Sequence, residues 1–354
     1  MKIVADENLA LTDYFFSDLA QVRSLSGRTL THADVHDIDA LLVRSVTKVN
    51  QALLQNSQVT FVGSATIGTD HIDCNYLEHH KISWANAAGC NAQAVAEYVV
   101  TALLHLNPQL LHAEKTFTLG IVGLGNVGQR LAQVAQAMGW QVVGYDPFVS
   151  GEHIQQVAFE TLLQQADAVS IHVPLTHTGE HATYHLFNEQ TFAQLKPKAI
   201  VLNSARGAVI AEQALLADIE KTQRDVVLDV FEHEPNISQT LLNAVKLVTP
   251  HIAGYSLEGK ARGTQMIYEA FCHHISHSPN KDFKTQLPDC EQFKQPLRTA
   301  LAQHLGQIYN IAQDDQNLRA CVQDGMVSQQ AFDALRKNYP LRREWASHGI
   351  DIHA

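Results

Sequence analysis

Positive charge, patterned cysteine, long apolar runs and low-complexity stretches are all scarce in this chain of 354 residues. Lys and Arg total 25 against 36 Asp and Glu, a formal charge of −11. That balance excludes a general nucleic-acid surface, which needs a basic patch to neutralise phosphates. Small anionic ligands are not excluded, because single basic side chains suffice for them. The five cysteines (Cys74, Cys90, Cys272, Cys290, Cys321) are odd in number and lack C-x-x-C spacing, so neither a disulfide framework nor a zinc site is signalled. The 20 histidines include the doublets His79-His80 and His273-His274, yet no H-E-x-x-H or similar helical spacing occurs, and no metal is expected. Asp6 and Glu7 interrupt the apolar core a signal peptide requires, and no run reaches the roughly 18 apolar residues of a membrane span. The expectation is a cytoplasmic protein with no membrane partner.

What is present is rhythm. Short β-rich runs, KIVAD, ALLVRS, VTFVGSA and ISWANA, each precede a polar or helical segment, the pattern of β-α units on a parallel sheet. The helical stretch NAQAVAEYVVTALLHL follows and ends at Asn107-Pro108, where proline stops or redirects a helix. A second alternating series begins at Phe117, with strands expected at 117–122, 141–145, 167–173, 198–202, 225–230 and 246–249. After about Leu257 the alternation gives way to an amphipathic helix, then a polar, proline-dotted link from Ser278 to Pro296 and a final mixed segment.

The second series opens on TFTLGIVGLGNVGQRLAQVAQAMGWQVVGYD. Gly123, Gly125 and Gly128 form G-x-G-x-x-G between strand and helix, and Asp146 ends the next strand. Glycine permits the tight turn, lets the backbone approach a pyrophosphate and brings helix close to strand, while the helix N-terminus attracts the phosphate charge. The acid at the second strand's end suits ribose hydroxyls and repels a 2′-phosphate, so NAD is the expected cofactor. Asn126 and Val127 complete the loop, and Asp229 and Gly254, at later strand ends, join the expected cofactor set.

Three further strands end in polar groups of different chemistry. KAIVLNSARGAVI ends at Arg206, RDVVLDVFEHEP delivers Asp229 and then Glu234, and VKLVTPHIAGYS delivers His251. Open α/β sheets bind ligands beyond the carboxyl ends of their strands, so these groups can converge. Hydride transfer on a 2-hydroxy acid wants this set. Arginine grips a carboxylate through two parallel hydrogen bonds. Histidine takes the hydroxyl proton as hydride leaves, and a neighbouring carboxylate fixes its tautomer. Taken singly, Arg206 reads as a surface group and His251 as a structural histidine; jointly, behind a complete dinucleotide unit, they read as catalytic.

GLGNVG, NSARGAVI, LDVFEHEP and TPHIAG resemble the successive motifs of the D-2-hydroxyacid dehydrogenases, over about residues 1–275. The resemblance implies a substrate domain and an NAD domain around a cleft, with Arg206 binding carboxylate, Glu234 partnering the base and His251 as acid/base. MKIVADENL, LLVRSVTKVN, GCNAQAVAEYV and HIAGYSLEGKARGT, with about 100 residues after His251, resemble a narrower branch of that family. That branch implies a phosphorylated four-carbon hydroxy acid as substrate, substrate contacts from Ser45, Thr66 and Tyr255, and a homodimer formed through a C-terminal domain. Arg44 is added as a phosphate ligand on its charge alone, against the reading of a salt bridge; Lys260 and Arg262 read as a solvated helix face. Phe231, where the branch commonly has tryptophan, and Ser204-Ala205, where Ala-Cys is frequent, are departures that leave the polar trio intact.

The expected architecture is α/β, with two Rossmann-like doubly wound parallel-sheet domains and a small α+β C-terminal dimerisation domain. Its boundaries are 1–92 with 256–280 for substrate, 93–255 for NAD and 281–354 for dimerisation. Two alternatives stand beside the main reading: another D-2-hydroxyacid dehydrogenase, such as one acting on 3-phosphoglycerate, and an NAD-sensing binding protein.

Overall fold

The computed structural model describes residues 1–113, 116–151 and 153–352. The chain divides into two compact units, one made of residues 1–91 and 256–289, the other of 92–255 and 290–354.

The first unit holds five parallel strands, β1 (Lys2–Asp6), β2 (Gln21–Leu25), β3 (Ala40–Val43), β4 (Phe61–Ser64) and β5 (Ser83–Asn86). Their order, β2-β1-β3-β4-β5, is that of an open doubly wound sheet. The apolar runs of β1, β3 and β4 are buried on both faces, as central parallel strands require. The helix Leu257–His274 returns to this unit and packs Ile267, Tyr268, Phe271 and Cys272 against Phe15, Phe16 and Phe61. β2 was not among the expected strands, because QVRSL is a half-exposed edge strand with no apolar alternation. Arg44 and Ser45 therefore follow the third strand and not the second, and Thr66 follows the fourth.

The second unit is built on a seven-stranded parallel sheet: β6 (Thr118–Val122), β7 (Gln141–Tyr145), β8 (Gln155–Gln156), β9 (Ala168–Ile171), β10 (Ile200–Asn203), β11 (Val226–Leu228) and β13 (Leu247–Val248). Its order is β13-β11-β10-β9-β6-β7-β8, so the sequence of strands reverses direction beside β6, the glycine-loop strand. Ligands sit at such a reversal, beyond the strands' carboxyl ends. The buried helix Ala92–Leu106 packs on the sheet with the helix Asn126–Ala137 that follows the glycine loop.

The C-terminal stretch is α+β. Its β14 (Val322–Gln323) and β15 (Met326–Val327) form a small antiparallel sheet with β12 (Ile237–Ser238) from the earlier part of the unit, and its helices are Leu297–Ile308, Ile311–Arg319 and Gln329–Lys337. It is stitched to the edge of the large sheet. The Val248 N–H of β13 donates to Asp315 Oδ1 at 2.8 Å, and Arg319 Nη2 donates to the Val245 carbonyl at 2.9 Å. An edge strand's exposed donor is thus satisfied by a side chain.

Among the described residues no disulfide joins the cysteines, no group of three His, Cys, Asp or Glu side chains is arranged to hold a metal ion, and no helix is long and apolar enough to cross a membrane.

Candidate active site

The glycine loop joins β6 to the helix Asn126–Ala137, and its three glycines do three separate jobs. Gly123 has φ +95°, and a Cβ there would lie 2.6 Å from the His172 carbonyl oxygen. A Cβ on Gly128 would lie 2.0 Å from the Gly123 carbonyl oxygen, so this glycine lets the helix close on the strand. At Gly125 a Cβ would meet nothing within 4 Å. Protein packing therefore does not require glycine at that position, whereas a phosphate drawn to the helix N-terminus would. The exposed Gly125 and Asn126 and the half-buried Val127 line this cradle. His172, at the end of β9, is pushed down to about 3 by burial, and its Nε2 pairs with Ser170 Oγ at 2.8 Å; it is a neutral structural histidine.

Asp146 follows β7 and ties the cradle to the next turn. Its Oδ2 accepts the Leu124 N–H at 2.8 Å, and its Oδ1 accepts the N–H groups of Phe148 at 2.9 Å and Val149 at 3.0 Å. Each carboxylate oxygen carries two lone-pair sites, so Oδ2 retains capacity for a ribose hydroxyl. The fit to a dinucleotide is good: an open cradle at a helix N-terminus and an anchored acid beside it.

β10, β11 and β13 are neighbours in parallel register, with Asn203 opposite Leu228 and Leu228 opposite Val248. Their carboxyl ends carry Arg206, Asp229 and His251 side by side, the outer two strands roughly 10 Å apart at two strand spacings. The Arg206 turn is shaped by Asn203, whose Nδ2 donates to the Arg206 carbonyl at 2.9 Å and whose Oδ1 accepts the Ala205 N–H at 3.0 Å. Arg206 Nη1 donates to the Ala205 carbonyl at 2.8 Å. A Cβ on Gly207 would lie 1.9 Å from the Phe231 carbonyl carbon, so glycine lets this turn press against the FEHEP loop.

His251 Nδ1 lies 2.8 Å from Glu234 Oε1. A carboxylate only accepts, so Nδ1 carries the proton, and no described group engages Nε2. Burial works to raise the Glu234 carboxyl, but the charge and hydrogen bond of His251, with the charge of Arg336, outweigh it and hold the group below the usual carboxylate value. The other acids of the loop are resolved by geometry: Glu232 Oε1 pairs with His185 Nε2 at 2.5 Å and its Oε2 accepts the Glu212 N–H at 2.8 Å.

Asp229 is 1 % exposed and turned toward the His251 loop. Its Oδ1 accepts from Thr249 Oγ1 at 2.6 Å and the Ile252 N–H at 2.7 Å, and its Oδ2 accepts the Ala253 N–H at 2.9 Å. Burial raises its carboxyl, and the His251 charge and these bonds lower it without cancelling the rise. Because the Thr249 hydroxyl proton goes to Asp229, the buried Tyr98 hydroxyl donates to Thr249 Oγ1, at 2.7 Å. The loop holds His251 at φ +56°, a region L-residues rarely adopt, and this lattice of bonds sustains it. Arg342 adds to it from the C-terminal stretch, its guanidinium donating to the carbonyls of Ile252, Ala253 and Tyr255. Tyr98, Thr249 and Arg342 gave no sequence signal, since a buried hydroxyl and a distant arginine fit no motif.

The remaining expected residues divide between the units. Half-buried Gly254 and Tyr255 continue the His251 loop, and Tyr255 packs edge-on against Tyr339 at 5.8 Å. In the first unit Ser45 is exposed, and Thr66 Oγ1 donates to the Gly68 carbonyl at 3.2 Å and lies 2.8 Å from Ser64 Oγ, which in turn meets His71 Nε2 at 3.0 Å. Arg44 Nε is bonded to the buried Asp6 Oδ1 at 3.0 Å, the salt-bridge reading weighed against a phosphate role. Arg262 departs from the expected solvated face: its Nη1 donates to the Cys90 carbonyl and its Cζ lies 5.5 Å from the Phe283 ring centre.

Residues 105–253 match the D-isomer specific 2-hydroxyacid dehydrogenase NAD-binding domain, and residues 284–354 match a domain of unknown function, DUF3410. The erythronate-4-phosphate dehydrogenase of Acinetobacter baumannii (strain ATCC 17978) is 66 % identical over 351 residues, 99 % of each chain. The protein of that name from Psychrobacter cryohalolentis is 44 % identical over 385 aligned positions, again 99 % of each. Among solved structures, the D-lactate dehydrogenase of Aquifex aeolicus complexed with NAD and lactic acid superposes with a TM-score of 0.64 at 21 % identity, covering 78 % of this chain and 96 % of that one. The NAD-dependent formate dehydrogenase of Staphylococcus aureus, in complex with NAD, gives 0.64 at 22 %, covering 80 % and 98 %. At those identities the structural likenesses establish the fold.

Proposed function

The chain belongs to the erythronate-4-phosphate dehydrogenases, within the D-2-hydroxyacid dehydrogenase family, and from that premise we propose how its residues divide the reaction. The activity is NAD-dependent oxidation of 4-phospho-D-erythronate to (R)-3-hydroxy-2-oxo-4-phosphobutanoate, a step of vitamin B6 synthesis. NAD, when bound, supplies the hydride acceptor; Gly123, Gly125, Asn126, Val127, Gly128 and Asp146 hold it, with Gly254 beside it and Asp229 shaping the loop there.

Arg206 grips the substrate carboxylate and draws electron density from the C2 oxygen as it becomes a carbonyl. His251 Nε2 takes the hydroxyl proton as the C2–H bond gives up its hydride, and Glu234 stabilises the imidazolium so formed. Running backwards, the imidazolium returns the proton. The observation that carries this reading is the 2.8 Å His251–Glu234 pair at the same sheet edge as Arg206, two strand positions away. Ser45, Thr66 and Tyr255 are proposed substrate contacts, and Arg44 joins them only through its terminal guanidinium nitrogens, its Nε being given to Asp6.

Residues 1–92 with 256–280 serve as the substrate domain, 93–255 as the NAD domain and 281–354 as the dimerisation domain of a cytoplasmic homodimer. Five cysteines without a disulfide among the described residues suit a reducing compartment.

The test is NADH formation from 4-phospho-D-erythronate beside D-3-phosphoglycerate and D-lactate, with a 2-oxo acid added in parallel to reoxidise retained cofactor. A strong preference for the erythronate phosphate is expected. Preference for another acid would move the substrate assignment, and NAD binding without turnover on any of them would favour an NAD-sensing binding protein. Sedimentation of the full chain checks the dimer.

A further inference from the structure

Arg336 sits on the helix Gln329–Lys337, in the C-terminal stretch that no dehydrogenase motif reaches. The chain just beyond that helix is fastened to the His251 loop. Arg342, 8 % exposed, donates through Nη1 to the Ile252 carbonyl at 3.0 Å and the Tyr255 carbonyl at 3.3 Å, and through Nη2 to the carbonyls of Ala253 and, at 3.1 Å, Ala94. Its Cζ lies 4.4 Å from the Tyr309 ring centre, which closes the clamp from the other side. The helix is thereby held at a fixed place beside the loop.

In that place the Arg336 Cζ stands 5.8 Å from the Tyr255 ring centre and 5.7 Å from that of Phe332, and its Nε–H is buried with no hydrogen-bond acceptor. The Tyr255 hydroxyl, through its charge and a side-chain hydrogen bond, and the charges of Glu234 and Asp229 favour the cation. Glu234 in turn is bonded to His251 and feels the charge of Arg336, and the His251 charge also acts on Asp229. A half-buried cation whose Nε–H is buried and unmatched is costly to a fold unless nearby negative charge compensates it. Here that charge is the carboxylate paired with the acid/base histidine.

We propose that Arg336 is a positioning residue of the reaction, the fixed positive charge behind the Glu234–His251 pair, and that the C-terminal stretch thereby completes the catalytic apparatus. The proposal rests on the acid/base reading of His251 given above. The cation keeps Glu234 ionised and weakens the hold of the pair on its proton. By pinning the Tyr255 ring, it also fixes the chain that follows the histidine.

The test uses the full chain with Arg336→Met, which keeps the stem and removes the charge, and Arg336→Lys, which restores charge. Two pH titrations are compared: the acidic limb of kcat/KM for oxidation, and the NMR titration of the His251 ring without substrate, assigned by its loss in His251→Asn. In Arg336→Met both midpoints rise by roughly half a unit to one unit, as for an opposite charge removed from beside a titrating pair. Turnover on the acidic limb falls about three- to tenfold accordingly, and Arg336→Lys returns both midpoints most of the way. Unmoved midpoints in Arg336→Met overturn the proposal even where the melting temperature drops, since packing alone produces that drop. Should the methionine variant fail to fold, Arg336→Gln makes the same comparison. A wild-type chain that oxidises none of the acids refutes the dehydrogenase reading, and the ring titration still decides the role of Arg336.

Discussion

Replacing Glu234 by Gln removes one charge and little volume from the centre of the site. The wild-type contact is a charge-assisted hydrogen bond of 2.8 Å between Oε1 and His251 Nδ1. A bond of that class contributes about 1.5–3 kcal/mol, more in the transition state where the imidazolium is fully formed. At 1.36 kcal/mol per factor of ten, kcat/KM for oxidation falls on the order of ten- to several-hundredfold. The pH dependence carries the more specific signal. Without the carboxylate, the imidazole binds its proton less tightly, so it becomes a free base at lower pH and the acidic limb moves down by about one unit. This is opposite in sign to the shift expected for Arg336→Met, which no general loosening of the loop would produce. The assay is NADH formation from 4-phospho-D-erythronate across pH 5 to 10, with NAD affinity measured separately by calorimetry. NAD affinity stays near wild type, because Glu234 touches none of the cradle. A variant with wild-type kcat/KM and an unmoved acidic limb would refute the pairing as the basis of acid/base catalysis.

Four further outcomes follow from the same geometry. Gly125→Ala leaves the melting temperature unchanged, because its Cβ meets no protein atom within 4 Å, while NAD affinity measured by calorimetry falls about tenfold or more. Gly128→Ala does the reverse: its Cβ would overlap the Gly123 carbonyl oxygen at 2.0 Å, and thermal unfolding registers a loss of about 1–3 kcal/mol. Asp146→Ala strips acceptors from three backbone N–H groups, so it costs about 1–3 kcal/mol in urea unfolding and narrows the preference for NAD over NADP; an unchanged cofactor preference counts against the ribose role. Glu97 is buried, and burial together with the Glu344 charge raises its carboxyl well above 4.5. The folded state then binds the proton more tightly than the unfolded chain, so stability declines as pH rises from 4.5 through the folded-state value. Glu97→Gln flattens that decline in melting temperature, and an unaltered slope counts against the assignment.

Much of the site could be read from the sequence because each group ends a run whose pattern is self-evident. Gly123, Gly125 and Gly128 lie between an apolar strand and a helix, and Arg206, Asp229 and His251 each terminate a short β-branched run. Strand order did the rest, since parallel neighbours bring their carboxyl ends together. What could not be read lacks periodicity. β2 is an edge strand with exposed Gln21, Arg23 and Ser24, so it shows no apolar alternation. The two-residue strands β12, β14 and β15 are too short to show any. Arg262, Arg336 and Arg342 look like ordinary helix or loop charges until the fold supplies their partners, a carbonyl or an aromatic ring, from far along the chain. The Tyr98–Thr249–Asp229 relay is invisible for the same reason, as 151 residues separate the first two members.

The first unit is assembled from two separated stretches, with residues 92–255 intervening. During synthesis its sheet emerges early, but the helix Leu257–His274 that covers Phe15, Phe16 and Phe61 is made last. At about 5–20 residues per second the growing chain carries an uncovered apolar face for roughly ten to thirty seconds. The NAD-binding sheet, whose seven strands all lie between residues 118 and 248, is by contrast complete before that helix emerges. The strands of the large sheet are therefore all made before the helix that covers the N-terminal sheet. The N-terminal stretch waits, exposed to chaperones or to aggregation, for a helix encoded after its neighbour.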